Sequence, residues 1–121
     1  MSNKKTLVLG ASTNPARYAF KAINRLRESG HEVIALGLRE GKVADVNIDA
    51  KAQWYQKVDT VTMYLGAPRQ VQYYQYLMAL NPKRIIFNPG AENEELEQLA
   101  SKNGIETIEA CTLVMLSIGN Y

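Results

Sequence analysis

Residues 8–18 read VLGASTNPARY, and this stretch decides how the rest of the chain is interpreted. An apolar run over residues 5–9 stops at Gly10 and predicts a buried strand. Apolar residues then recur at helical spacing over residues 16–29, which predicts an amphipathic helix that ends at Gly30. A strand that passes through Gly-Ala-Ser into a helix is typical of the first half of a βαβ unit.

The same alternation continues to the end of the sequence. Further strands are predicted over residues 32–37, 59–65, 84–87 and 105–108, and further helices over residues 69–80, 93–103 and 112–118. The least regular region favours a short edge strand at residues 46–48 and a helical turn at residues 51–56. Strands that alternate with helices through short loops indicate a parallel sheet. We therefore expect residues 1–121 to form one α/β domain, a three-layer Rossmann-like fold with a parallel sheet of about five strands and helices on both faces.

Composition narrows the classes of function. The 121 residues are 46% hydrophobic and 21% charged, which is ordinary for a globular protein. A net charge of +2 is too small to indicate binding to nucleic acid or to an anionic membrane. No apolar run approaches the length of a membrane span, and a single cysteine favours a cytoplasmic location. One histidine without clustered carboxylates gives no metal-binding pattern.

The loop after the first predicted strand carries groups that suit a phosphate. Ligands of parallel α/β sheets bind at the carboxyl ends of the strands, and Gly10 lets the backbone turn tightly there. The start of the following helix offers free N–H groups, and Arg17 opposes the helix dipole unless an anion lies nearby. We expect Gly10→Val to block the ligand with little loss of fold. The predicted phosphate-binding residues are Gly10, Ala11, Ser12, Thr13, Asn14 and Arg17.

The loop after the second predicted strand indicates which nucleotide is bound. An NAD site has an acidic residue here that holds the ribose hydroxyls. This sequence reaches Arg39 first, and that charge suits a phosphorylated ribose as in NADP or coenzyme A (CoA), while Glu40 keeps NAD open. The candidate residues of this loop are Gly37, Leu38, Arg39 and Lys42. The loop after the next predicted strand adds Leu65, Gly66 and Pro68, with Met63 and Leu65 as candidate contacts to the adenine or the pantetheine.

These motifs together resemble a known family. The matching positions are Val8, Gly10, Ala11, Ser12, Asn14, Pro15, Arg17, Val58, Asp59, Gly90, Ala91, Asn93, Glu94, Glu95 and Cys111. Over nearly its whole length the chain is similar to the small stand-alone CoA-binding proteins, which resemble the CoA-binding domain of the succinyl-CoA synthetase alpha subunit. It departs from their pattern at Gly37-Leu38, at Asn88-Pro89 and at Thr112. The resemblance implies binding of CoA or an acyl-CoA, with no assigned reaction.

The residues do not favour catalysis by the chain itself. Ligases of the succinyl-CoA type use a phosphorylated histidine from a further domain. His31 precedes the second predicted strand, so we expect a surface turn at the end of the sheet opposite the ligand, where no Ser-His-Asp set can form. The predicted function is therefore CoA or acyl-CoA binding with no catalytic residues. The alternatives are a small NADP-binding oxidoreductase-like protein and a CoA-responsive regulator that acts through a partner protein.

Two features admit more than one interpretation. Tyr73 and Tyr76 either cover the surface of their helix or form a self-association face, so a homodimer is one expectation. Cys111, just past the last predicted strand, is either a small buried apolar group or a thiol that exchanges with the thiol of CoA.

Overall fold

The computed structural model describes residues 3–121, which form a seven-stranded sheet and its covering helices. The strands are β1 (Thr6–Ala11), β2 (Val33–Gly37), β3 (Gly41–Val43), β4 (Val46–Asp49), β5 (Thr60–Met63), β6 (Arg84–Phe87) and β7 (Glu106–Glu109). The helices are α1 (Tyr18–Glu28), α2 (Ala67–Gln70), α3 (Tyr74–Leu80), α4 (Glu94–Lys102) and α5 (Thr112–Ser117), with a 3₁₀ turn (Val71–Tyr73) between α2 and α3.

The sheet has the order β3-β4-β2-β1-β5-β6-β7. All neighbouring strands pair in parallel except β3, which pairs antiparallel with β4 at one edge. The α/β Rossmann-like prediction is confirmed, with more strands than the five expected. The edge strand predicted at residues 46–48 lies in β4, but it is not at the edge, because β3 pairs with its outer side. β3 was missed because its three residues are too few to show a periodicity.

Apolar residues alternate between the two faces of β1, as the pleat of a strand requires. Val8 packs with Ile23 and Leu26 of α1 on one face, where Leu116 of α5 also packs. On the other face Leu7 packs in a second cluster to which Leu77 of α3 and Leu96 of α4 belong. The sheet is thus the middle of three layers, which confirms the prediction of helices on both faces.

The helical turn predicted at residues 51–56 is wrong. Neither a helix nor a strand includes this segment. The Tyr55 hydroxyl donates a hydrogen bond to the Asp49 carboxylate, and the Tyr76 hydroxyl donates one to the Gln53 carbonyl at 2.6 Å. These side-chain bonds, which the local sequence does not reveal, hold the segment against its neighbours.

His31 also differs from the prediction. It precedes β2 and so lies at the amino edge of the sheet, as expected, but only 8% of it is exposed. Its Nδ1 atom accepts a hydrogen bond from the Lys4 backbone N–H at 3.0 Å, and its ring centroid lies 4.9 Å from that of Tyr121. A partner from the start of the chain and another from its end cover the turn, so the expectation of a surface histidine is wrong.

The strand order places a crevice at the opposite, carboxyl edge. Without the β3–β4 hairpin the order is β2-β1-β5-β6-β7, and the chain reverses direction across the sheet between β1 and β5. Such a reversal separates the loops that follow the two strands and leaves a crevice between them. Ligands of open α/β sheets bind in this crevice. No helix within residues 3–121 is long and apolar enough to cross a membrane.

Candidate functional site at the carboxyl edge of the sheet

A bulge at Gly10 ends β1 and begins the candidate site. The pairing of β1 with β2 shifts register between Leu9 and Ala11, and Gly10 has a φ of +98°. A Cβ atom on Gly10 would lie 3.1 Å from the Leu65 backbone nitrogen and 3.2 Å from the Tyr64 carbonyl carbon. A glycine is therefore required here for two reasons: the positive φ is unfavourable for other residues, and the chain just after β5 leaves no room for a side chain. The expectation that Gly10→Val spares the fold is wrong.

The loop that follows is shaped by its own polar side chains. Ser12 Oγ accepts a hydrogen bond from the Asn14 N–H, and Asn14 Oδ1 accepts one from the Ala16 N–H, both at 3.0 Å. The Arg17 N–H in turn donates to the Asn14 carbonyl. Ser12 and Asn14 thus fold the loop into consecutive turns that lead into α1.

The first turn of α1 carries no cap of its own. Arg17 occupies the N-cap position without a side-chain hydrogen bond, and the first turn has no acidic residue. The leading N–H groups of a helix need an acceptor, and the helix dipole makes that end positive. An anionic group that fits beside Arg17 satisfies both conditions.

The loop after β2 lies directly against the loop after β1. A Cβ atom on Gly41 would lie 2.5 Å from Thr13 Cγ2, and one on Gly37 would lie 2.3 Å from the Ala11 carbonyl oxygen. Gly37 therefore permits a close approach of two backbones, and Gly41 leaves room for the Thr13 methyl group. Ala11 and Gly37 are buried, so their contribution to the candidate site is this packing and their backbone groups.

The cationic residues of the two loops are exposed. Arg17, Arg39 and Lys42 face solvent, and within residues 3–121 none of their side-chain nitrogens has a hydrogen bond or a salt bridge. Leu38 is 75% exposed beside them. Arg17 and Arg39 thus lie in two adjacent loops at the carboxyl edge, whereas Lys42 lies in β3 rather than in the loop after β2.

The third predicted loop forms the other side of the crevice. Leu65 and Gly66 are half-buried and Pro68 is exposed, with Gly66 as the N-cap of α2. The buried Gln70 amide donates to the Leu65 carbonyl at 2.8 Å, which fixes the loop. Met63 is completely buried in the core, so the expectation that it contacts a ligand is wrong.

Sequence reasoning missed the buried polar residue that joins β6 to α5. Asn88 Nδ2 donates to Thr62 Oγ1 at 2.8 Å and to the Met63 carbonyl at 2.9 Å, and Asn88 Oδ1 accepts from the Thr112 N–H at 2.8 Å. The sequence did contain one indication of this role: Asn88 directly follows the apolar run of residues 85–87, at the carboxyl end of the predicted strand.

A cavity of about 200 Å³ opens beside Asn88 at the same edge. Its lining residues are Tyr18, Tyr64, Asn88, Pro89, Cys111 and Leu113. Cys111 is half-buried there and its thiol is free. The Tyr64 hydroxyl is buried without a hydrogen-bond partner of good geometry, and burial raises the pKa of Tyr64 to about 12. Within residues 3–121, no group of three His, Cys, Asp or Glu residues could hold a metal ion.

Comparison with known proteins shows which family the chain belongs to. Residues 4–117 match the family described as CoA binding domain, so the chain belongs to the CoA-binding domain family. A search of curated proteins finds no match. The family match confirms the resemblance to CoA-binding proteins that was stated from the sequence.

Three solved structures share the fold of this chain. An uncharacterized protein is 48% identical, with full coverage of both chains and a TM-score of 0.97. A protein from Thermus thermophilus is 21% identical, with 98% of this chain and 91% of that chain covered and a TM-score of 0.86. A dinucleotide-forming acetyl-coenzyme A synthetase from Korarchaeum cryptofilum is 18% identical, with 88% of this chain but 25% of that chain covered and a TM-score of 0.72.

Proposed function

We propose that the chain binds CoA or an acyl-CoA at the carboxyl edge of its sheet, without catalysis of its own. The match to the CoA-binding domain family over residues 4–117 is the observation that carries this proposal. It is supported by the uncapped start of α1, where Arg17 lies next to unpaired N–H groups. In this proposal residues 1–121 act as one cytoplasmic binding unit.

The proposed ligand contacts follow from the adjacency of the loops. Gly10, Ala11, Ser12, Thr13, Asn14 and Arg17 surround the diphosphate. Gly37, Leu38, Arg39 and Lys42 surround the ribose, with Arg39 as the main partner of its 3′-phosphate. Leu65, Gly66 and Pro68 flank the nucleotide from the other side of the crevice. The close approach of Gly41 to Thr13 supports this arrangement, because it brings the phosphate loop and the basic loop into contact.

The 3′-phosphate separates CoA from ligands that resemble it. Dephospho-CoA and NAD lack this group, and a hydrogen bond to a charged group contributes about 1.5–3 kcal/mol. Wild-type protein should therefore prefer CoA to dephospho-CoA by on the order of 10- to 100-fold. Arg39→Ala should bind the two ligands about equally, because the partner of the additional phosphate is gone. The preference should shrink as salt increases, since an exposed ion pair is screened.

Calorimetric titration of both ligands into both proteins tests this prediction as a double-mutant cycle. Arg25→Ala is the matched control, because Arg25 is an exposed arginine in the last turn of α1, away from the crevice. A control variant that loses the preference as Arg39→Ala does would contradict a specific contact. A wild type that binds NADP more tightly than CoA would contradict the proposed function itself.

A further inference from the structure

The cavity at the carboxyl edge lies on the opposite side of β1 from the basic segment after β2, which contains Arg39 and Lys42. Arg39 and Lys42 belong to the chain that follows β2, whereas Tyr64, Asn88 and Cys111 follow β5, β6 and β7. Tyr18, the first residue of α1, connects the two sides because it lines the cavity and follows Arg17 directly. A ligand held at the start of α1 therefore has positive charge on one side and a partly enclosed cavity on the other.

The pantetheine arm of CoA has the length to reach that space. The diphosphate joins the arm to the phosphorylated adenosine, so with the ribose phosphate at Arg39 the arm runs across β5 and β6 toward β7. Neighbouring strands lie about 4.8 Å apart, which puts β7 about 14 Å from β1. The arm has about twelve chain bonds, as many as four extended residues, and spans about 13–14 Å. A fully extended arm is therefore long enough to bring the sulfur to Cys111 and Leu113.

The size of the cavity limits what the sulfur can carry. A cavity of roughly 150 Å³ with an apolar lining holds one benzene molecule, which has six carbon atoms. A space of about 200 Å³ therefore accommodates the sulfur, the carbonyl group and an acyl chain of about four carbons. An eight-carbon chain exceeds it and must displace side chains or stay in solvent.

The lining also disfavours charge. None of the six lining residues is Lys, Arg, Asp or Glu, and the Asn88 amide is already bonded to Thr62, Met63 and Thr112. A carboxylate on the acyl group would lose water without gaining a cationic partner, which is costly. An uncharged chain loses little and removes apolar surface from water.

We propose that this cavity holds the thioester end of a short, uncharged acyl-CoA with two to four acyl carbons. This inference rests on the proposed function, because the orientation of the arm follows from the diphosphate at the start of α1. It adds a specificity that the family match does not state.

Calorimetry with CoA, acetyl-CoA, butyryl-CoA, octanoyl-CoA and succinyl-CoA tests the inference on wild-type protein. Each buried methylene strengthens binding roughly fourfold, so butyryl-CoA should bind on the order of tenfold more tightly than acetyl-CoA. Octanoyl-CoA and succinyl-CoA should each bind at least tenfold more weakly than butyryl-CoA. Equal affinities across the series, or a further gain from butyryl to octanoyl, would overturn the inference.

Enlarging the cavity gives a second test. Leu113→Ala should move the preference toward longer chains, so that the ratio of octanoyl-CoA to butyryl-CoA affinity rises at least fivefold. Val114→Ala is the matched control on the same helix, because Val114 is 53% exposed and does not line the cavity, and its ratio should equal that of the wild type. CoA that binds without any acyl preference contradicts this inference alone. Protein that binds neither CoA nor any acyl-CoA contradicts both this inference and the proposed function.

Discussion

Several glycines at the carboxyl edge lie so close to neighbouring segments that a larger residue would not fit. A Cβ atom on Gly10 would crowd the backbone just after β5, and one on Gly37 would crowd the Ala11 carbonyl of β1. A Cβ atom on Gly41 would instead meet the Thr13 methyl group in the loop after β1. Close packing is intolerant of one added methyl group when the contacting atoms are backbone. The backbone next to the position proposed for the diphosphate consequently has no space for a side chain at Gly10 or Gly37.

Gly10→Ala should destabilise the fold more than a matched change elsewhere. Gly30 also has a positive φ, of +85°, but a Cβ atom there would meet nothing within 4 Å. Gly30→Ala should therefore cost only the backbone strain, about 1–2 kcal/mol. Gly10→Ala should cost about 2–4 kcal/mol, because crowding against Leu65 and Tyr64 adds to the strain. Urea unfolding of both variants measures the difference, and equal losses would contradict the packing argument.

At the scale of elements, Asn88 joins two strands and a helix. Its amide contacts residues at the ends of β5 and the first N–H of α5, and Thr62 also shares a hydroxyl hydrogen bond with Thr112 at 2.8 Å. These bonds are buried, so each unsatisfied partner carries a desolvation cost. The short helix α5 has no side-chain cap, and Asn88 supplies the acceptor that its sequence lacks.

Asn88→Ala should lower the free energy of unfolding by about 2–4 kcal/mol, because it leaves the Thr112 N–H buried without a partner. The Met63 carbonyl loses the side-chain amide and keeps only the backbone N–H of residue 88, at 3.3 Å. Asn103→Ala is the matched control, since Asn103 is exposed and its amide makes one bond, to the Leu99 carbonyl, and it should cost less than about 0.5 kcal/mol. Thermal unfolding of both variants gives the comparison. An Asn88 variant as stable as its control would show that water satisfies the freed groups.

Local pattern predicted most elements of this chain, because the amphipathic helices and buried strands carry strong periodicity. β6 matches its predicted residues 84–87, and Asn93 caps α4 as its sequence position indicates. Features held by distant contacts were not predictable: β3 depends on pairing with β4, and the burial of His31 depends on Lys4 and Tyr121. The same limit applies to the site. Exposed cations could be identified from sequence, but the contact of Gly41 with Thr13 could not.

Across the whole molecule, the two edges of the sheet differ in how their polar groups are used. At the amino edge Tyr121 is in contact with three cationic or ionisable residues: its carbonyl accepts from Lys4 Nζ at 2.6 Å, and the Arg84 guanidinium lies 4.6 Å from its ring centre. His31 packs on the same ring. At the carboxyl edge Arg17 and Arg39 have no partner within residues 3–121. The exposed cations that have no partner, and are therefore available to a ligand, thus lie at the carboxyl edge.

His31 should make the stability of the whole chain depend on pH. Burial, with the nearby charges of Lys4 and Arg84, lowers the pKa of His31 from its usual 6.5. About one pH unit or more above 6.5 the ring is almost entirely neutral in both the folded and the unfolded chain. As pH falls below 6.5 the unfolded chain takes up a proton that the folded chain resists. The free energy of unfolding should therefore decrease until the pH passes the lower folded-state pKa.

The measurement is urea unfolding of wild type and His31→Gln at intervals between pH 5 and 7.5. Because the sequence contains one histidine, the difference between the two proteins isolates this titration from that of the carboxylates. The difference should level off about one pH unit above 6.5 and should narrow toward lower pH, since glutamine has no proton to gain. His31 is at the amino edge, so the ratio of CoA to dephospho-CoA affinity should be the same in both proteins at pH 7.5. If the free energies of unfolding of the two proteins run parallel across this pH range, the folded chain accommodates the imidazolium as readily as water does. If their difference widens toward low pH, His31 gains a favourable partner on protonation.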